Sequence, residues 1–163
     1  MEIKFMQIAL KEAEKAKNAQ EVPVGACIVC GGKVIARAYN KKVQKNCSNY
    51  HAEIIAIEKA CKKLCDWHLN ECDIYVTLEP CSMCAGALIN ARIGNIYFGA
   101  YDDKSGCCGS LYNLPQDKRF NHRANVQGGI LKEECANILT NFFKAKRENA
   151  RAYNDVNTNG NGE

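Results

Sequence analysis

The chain has no apolar run approaching the ~18–20 residues that a membrane-spanning helix needs, no internal repeat, and no strong excess of charge of either sign. The first absence excludes a transmembrane helix, and no membrane partner is expected. The opening segment, Met1-Glu2-Ile3-Lys4-Phe5-Met6, turns amphipathic at once. It carries neither the apolar stretch nor the small-residue cleavage site of a secretory signal, so a cytoplasmic protein is the expectation. A net charge of +4, from 22 Lys+Arg against 18 Asp+Glu, is too small to argue for a nucleic-acid partner by itself.

What is present is an ordinary globular composition. Apolar residues make up 47% and charged residues 25% of the chain, which excludes disorder or a collagen-like structure for its bulk. Its 163 residues suit one domain and not two. A domain of that size buries roughly two-thirds of its unfolded surface and needs no staples. The unusual feature is cysteine, at 11 residues, just short of a disulfide-scaffold composition. The count is odd and no secretory signal accompanies it. These residues therefore read as small buried hydrophobes or metal ligands, not bridges.

Charge is distributed unevenly. Residues 41–65 hold Lys41, Lys42, Lys45, Lys59, Lys62 and Lys63 against Glu53 and Glu58, and residues 118–151 hold eight Lys/Arg against Glu133, Glu134 and Glu148. Two basic segments fit one face for an anionic partner; an ordinary solvated surface is the plain alternative.

Apolar spacing predicts a helix over 3–17, a doubly buried strand from Val24 to Cys30, a turn at Gly31-Gly32 and a returning strand from Lys33 to Tyr39. A polar loop over 40–49 leads to a helix over 51–65 and a strand from Asp73 to Leu78. Pro80 fits the first turn of a helix running to about Ala91. A strand from Asn95 to Gly99, a long loop over 100–125, a short strand from Val126 to Leu131 and a helix over 132–148 complete the domain, assigned to residues 1–150. Residues 151–163, Asn/Gly-rich from Asp155, are expected to be a disordered tail. The order implies an α/β fold with one mixed sheet, helices on both faces, an antiparallel hairpin first and parallel crossovers after it.

The chemistry concentrates in His51-Ala52-Glu53 and Pro80-Cys81-Ser82-Met83-Cys84, each at a predicted helix start. Cys81 and Cys84, three apart, share a helical face, and a helix N-terminus favours the thiolate that binds metal. Two thiolates and one imidazole suit Zn2+ and leave a fourth position for water, as catalytic sites do. Zinc lowers the pKa of that water to roughly 7. Glu53, two residues past His51, is placed to move its proton without being a ligand. A lone CxxC in a cysteine-rich chain carries little meaning, and a lone His at a helix start is commonly a cap. The combination of His-x-Glu with Pro-Cys-x-x-Cys is the known signature of zinc-dependent nucleobase deaminases, matched here rather than deduced.

The other cysteines find no such partners. Cys27 and Cys30 lie three apart on a strand and point to opposite faces. Cys61 and Cys65 lie one helical turn apart without a third ligand, and Cys107-Cys108 sits in the long loop. Packing is the reading for the first four, and no role is assigned to the last two.

At this point the chain resembles the bacterial-type tRNA-specific adenosine deaminases of the cytidine deaminase-like superfamily over roughly residues 5–148. The matching stretches include Glu21-Val-Pro-Val-Gly-Ala26, Asn40, His51-Ala-Glu53, Val76-Thr-Leu-Glu-Pro-Cys-Ser-Met-Cys-Ala-Gly-Ala87, Lys104-Ser-Gly106, Asn121-His-Arg123 and Phe142-Phe143 followed by Lys144, Lys146 and Arg147. Cys107-Cys108 stands where the family commonly has small apolar residues. The resemblance implies a three-layer α-β-α fold with a central mixed sheet of about five strands, and a homodimer holding one Zn2+ per subunit. It further implies hydrolytic conversion of adenosine to inosine at the wobble position of a tRNA anticodon stem-loop, usually that of arginine tRNA in bacteria. His51, Cys81 and Cys84 would hold zinc. An activated water would attack C6 of adenine while Glu53 protonates N1 and then the departing amine. Asn40 would bond the base edge, with Val24, Ala52 and Leu78 around it. Asp102, Lys104, Asn121, His122, Arg123, Phe143 and Arg147 would contact the flipped-out loop.

Two other readings stay open. Deamination of a free base or nucleotide, guanine or cytosine, would use the same core, but a small base needs no extended cationic face. A non-catalytic, zinc-stabilised RNA-binding module would not need the non-ligating carboxylate of Glu53.

Overall fold

A computed structural model describes residues 2–159, with side chains through Asn154. The elements run α1 (Ile3–Asn18), β1 (Gly25–Cys30), β2 (Lys33–Tyr39), α2 (Ala52–Leu64), β3 (Cys72–Leu78), α3 (Ser82–Asn90), β4 (Asn95–Ala100), a turn of 3-10 helix (Leu114–Gln116), β5 (Asn125–Gln127) and α4 (Lys132–Asn159). The hairpin closes through Gly31 and Gly32 with φ of 55° and 74°, the left-handed pair that the tightest hairpin turn requires.

The five strands lie in the order β2-β1-β3-β4-β5. Strand β1 is antiparallel to both neighbours, with Ala26 opposite Ala38 on one side and Val76 on the other. Strands β3, β4 and β5 are parallel, with Ile74 beside Ile96 and Ile96 beside Val126. Alternation along β1 divides the core. Ala26 and Ile28 face a cluster with Ile55, Ala56, Leu88 and Ile93, under α2 and α3, whereas Cys27 and Val29 face Phe5, Met6, Ala9 and Cys135, under α1 and α4. The result is the three-layer α-β-α fold with a mixed five-stranded sheet. Cys27 and Cys30 do point to opposite faces, Cys30 packing on the first cluster and Cys27 lying in the second.

Departures from expectation are local. The helix after Pro80 starts at Ser82, because Cys81 is extended (φ −73°, ψ 177°) and bridges to Gly106. Strand β5 runs Asn125–Gln127, starting one residue before the expected Val126–Leu131 stretch and ending two residues into it, since Gly129 adopts φ of 86° and turns the chain before Ile130 enters the core. The last helix continues past 148, and past the start of the expected tail at 151, to Asn159. The rest of that tail, residues 160–163, lies outside the described residues. Among the described residues no helix is long and apolar enough to cross a membrane.

Candidate active site

Two helix starts meet at the C-terminal end of β3. His51 is the N-cap of α2 and Cys81 the N-cap of α3, and neither side chain caps its own helix. Both are therefore free to face each other. His51 Nδ1 lies 3.7 Å from Cys81 Sγ and 3.5 Å from Cys84 Sγ. Their ligand atoms all fall within 4.8 Å, and no other such group of three occurs among the described residues. The Cys84 thiol, buried, donates to Cys81 and holds the Cys81 thiol at about 4, with His51 adding to the effect. By the same hydrogen bond, and then by burial, Cys84 is pushed up. His51 is raised, chiefly by its hydrogen bond with Cys81. The trio shares protons across sulfur and nitrogen and is poised to exchange them for a cation.

These residues open on a cavity of about 220 Å³ lined by Val22, Val24, Asn40, Lys42, His51, Ala52, Glu53, Leu78, Glu79, Cys81, Asp102 and Ser105. Glu53, in the first turn of α2, is only 4% exposed. Burial raises its carboxyl to about 6, outweighing the hydrogen bonds and the nearby His51 that lower it. A carboxyl near neutrality can both accept and return a proton. Asn40 is buried, its Nδ2 donating to the Val22 carbonyl at 3.4 Å, while its Oδ1 has no hydrogen-bond partner. A buried acceptor left unpaired is costly, and Asn40 is one of the residues that line the cavity.

Of the residues singled out from sequence, His51, Glu53, Cys81, Val24, Asn40, Ala52, Leu78 and Asp102 line this one cavity, and Cys84 completes the trio behind it. Asp102 is largely committed to its own loop. Its Oδ1 accepts from the backbone N–H groups of Lys104 and Ser105, and its Oδ2 from the Ser105 hydroxyl. Lys104 lines an adjoining cleft that shares Ser105 with the cavity. Four others stand apart. Asn121 is exposed, Arg123 lines a separate cleft with Lys118 and Asn125, and Phe143 packs edge-on against Phe142. Arg147 is exposed on α4. His122 is half-buried, its Nε2 2.7 Å from the Ile93 carbonyl, a bond that anchors the loop.

Sequence reasoning missed Glu79, which is 2% exposed. Its Oε1 accepts from the backbone N–H groups of Cys108 and Ser110 at 3.0 and 2.9 Å, and its Oε2 from the Asp102 N–H at 3.0 Å and the Ser110 hydroxyl at 2.5 Å. Gly106 lies so close that a Cβ there would meet the Glu79 carboxylate. Glu79 thus clamps the loop over 102–110, with Cys107 and Cys108, onto the site; its only sequence signal was its place beside Pro80-Cys81. Glu21, also buried, accepts from the Gln44 N–H at 2.6 Å and so ties down the loop that carries Lys42.

A family model of MafB19-like deaminases matches residues 2–147. The tRNA-specific adenosine deaminase of Bacillus subtilis is 48% identical over 148 residues, which span 91% of this chain and 92% of that protein. A solved structure from biochemical and structural studies of A-to-I editing by tRNA deaminases at the wobble position of transfer RNA matches with a TM-score of 0.82 and 42% identity, over 85% of this chain and 100% of that one. The guanine deaminase of Bacillus subtilis matches with a TM-score of 0.58 and 38% identity, over 60% of this chain and 63% of that one.

Proposed function

The chain belongs to the MafB19-like deaminase family, and from that premise we propose that it hydrolyses adenosine to inosine at the wobble position of a tRNA anticodon loop. The observation that carries the reading is Glu53, a buried carboxyl in the wall of a cavity that also exposes His51 and Cys81 yet stands outside the ligand trio. A structural metal site has no use for such a group.

The trio fits Zn2+. With Zn–S near 2.3 Å and Zn–N near 2.0–2.1 Å, tetrahedral sulfur and nitrogen ligands stand about 3.6 Å apart, against the observed 3.7 and 3.5 Å. His51 through Nδ1, Cys81 and Cys84 would hold it. When bound, zinc supplies a water acidic enough to act as a nucleophile near neutral pH. The chain's own residues do the rest. Glu53 takes one proton from the attacking water and delivers it to N1 of the base; it then takes the second, from the oxygen newly bonded to C6, and delivers it to the amino group, which leaves as ammonia. The Asn40 Oδ1 accepts from an N–H of the base. Val24, Ala52 and Leu78 form apolar walls that hold the ring and keep bulk water off its edge.

At about 220 Å³ the cavity falls below the ~300–1,000 Å³ common for drug-sized ligands. It has room for a single base presented by a polymer that stays outside. Lys42 at the cavity wall, Lys104 and Asp102 beside it, and Asn121, His122, Arg123, Phe143 and Arg147 farther out would meet the rest of the anticodon loop by charge and stacking. A homodimer, arginine tRNA as substrate and a cytoplasmic location belong to the same reading.

The likeness to a guanine deaminase favours a second reading, deamination of a free base. The two separate in one assay that offers an anticodon stem-loop with adenosine at the wobble position beside free guanine, cytosine and adenosine, with and without a zinc chelator. Chelator-sensitive inosine in the stem-loop alone supports tRNA editing; ammonia from a free base with an untouched stem-loop transfers the chemistry to base salvage.

A further inference from the structure

The active site uses Cys81 and Cys84 and leaves the other cysteines, all of them free thiols, without a function. Two of them stand directly opposite each other. Cys30, the last residue of β1, pairs with Cys72, the first of β3, in antiparallel register. The backbone of Cys72 shows what kind of pair this is. Its N–H donates to the Leu69 carbonyl at 2.9 Å and its carbonyl accepts from the Gly94 N–H at 3.0 Å, so both groups face away from β1. The pair is therefore the non-hydrogen-bonded type, in which Cα atoms approach to about 4.5 Å and side chains come closest. That spacing falls inside the ~4.4–6.8 Å range of disulfides. Both side chains lie on the α2/α3 face, Cys72 in the core cluster and Cys30 packed against it.

Access to the two thiols differs. Cys72 is 1% exposed and Cys30 half-buried. Both line a cleft of about 340 Å³ with Leu64, Asp66, His68 and Glu71. The cleft lies at the start of β3, whereas the active-site cavity lies past the other end of that strand, at Leu78.

We propose that Cys30 and Cys72 form a peroxide-responsive dithiol, a modification site separate from the deaminase centre. The Cys30 thiolate, reachable from the cleft, attacks one oxygen of hydrogen peroxide. The O–O bond breaks, hydroxide leaves and is protonated to water, and Cys30 becomes a sulfenic acid. Cys72 then attacks the Cys30 sulfur; the S–S bond forms, the S–O bond breaks, and the hydroxyl departs as water with the proton of Cys72. Two electrons pass from the thiol pair to the peroxide. The division of labour agrees with the Cys72 thiol, which burial and then its hydrogen bond with Cys30 push up to about 12. It stays protonated and acts second. The bridge encloses the chain between β1 and β3, which carries His51, Glu53 and α2. It constrains the unfolded chain and raises the melting temperature by roughly 5–10 °C.

The test uses the full-length, zinc-loaded wild-type protein. Graded hydrogen peroxide is followed by alkylation of remaining thiols, proteolysis and mass spectrometry, with thermal melts before and after dithiothreitol. A cross-linked Cys30–Cys72 peptide, lost on reduction, together with a melting temperature that rises on oxidation and falls back on reduction, supports the proposal. In Cys72→Ser the sulfenic acid should persist at Cys30 and take a dimedone label. Peroxide that oxidises Cys81 or Cys84 while Cys30 and Cys72 stay alkylatable overturns it, as does Cys30 bridged to Cys61 or carried directly to sulfonic acid. Because the mapping is made on the wild-type chain, poor folding of a variant does not blunt it. The outcome is independent of which substrate the enzyme deaminates.

Discussion

Replacing Glu79 by glutamine tests whether one buried carboxylate builds the outer wall of the active site. The side chain is 2% exposed and receives three backbone N–H groups and one hydroxyl. Glutamine keeps the shape but has one oxygen and one NH2. The oxygen can stay on the Cys108 and Ser110 amides, and the NH2 can turn to the Ser110 hydroxyl, which can accept instead of donating. The Asp102 N–H then faces another donor. Losing one hydrogen bond to a charged acceptor and orphaning its buried donor costs about 3 kcal/mol. Some of this will appear as lost stability and the remainder as misplacement of the loop bearing Asp102 and Ser105, both of which line the cavity. If half goes to misplacement, KM for the stem-loop rises by about tenfold. The changes in kcat and zinc content should be small, since Glu79 lies outside the ligand trio. Urea denaturation, metal analysis and steady-state kinetics on one preparation decide the matter. An unchanged denaturation midpoint with an unchanged KM refutes the clamp. Loss of zinc with collapse of kcat would show that Glu79 acts through its neighbour Cys81 and not through the loop.

The remaining expectations follow from the same site. Glu53→Gln should lower turnover by at least ~10²–10⁴-fold while zinc and RNA binding persist; undiminished deamination by that variant removes the role assigned to Glu53. With the wild-type Glu53 carboxyl at about 6, and its ionised form needed to accept the first proton, kcat/KM should fall as pH drops through that region; a profile flat down to pH 4 contradicts this. Chelation should abolish activity and added Zn2+ restore it, read by inosine formation. Changing Lys144, Lys146 and Arg147 together to alanine should weaken stem-loop binding and cut its log-log salt slope by about 2. Equal affinity at every salt concentration would return that helix to plain surface.

Much of the molecule was legible because its signals are local. The two-faced strand 25–30 announced its burial by an unbroken apolar run, Gly31-Gly32 announced the hairpin, and the two short motifs, matched to a known signature, pointed to His51, Cys81, Cys84 and Glu53. What escaped is non-local. Nothing in the spacing of Glu79 says that the N–H groups of residues 102, 108 and 110 will converge on it, because those donors belong to a loop with no periodic pattern to place it. The tie between the Asp102 N–H and Glu79, 23 residues apart, is equally invisible in the spacing. The full length of α4 escaped for the opposite reason: beyond Phe142 its described residues are exposed, so no apolar stripe marks them as helical.

The same contrast explains how so few residues suffice for the site. His51 and Cys81 are both N-caps whose side chains do not cap. A helix N-terminus ordinarily recruits its first side chain to satisfy its free N–H groups. Here the fold forgoes that stabilisation, about 1 kcal/mol per helix, and the released imidazole and thiol turn toward each other across the end of β3. Their positions are set by two helix starts anchored on one sheet, which are stiffer supports than loops. The loops over 40–50 and 102–110 are each fastened by a buried glutamate, Glu21 and Glu79. Ligand geometry therefore rests on secondary structure, and the shape of the substrate cavity on two carboxylates. Mutations should separate accordingly: those at the helix starts act on metal content and kcat, and those at the glutamates act first on KM.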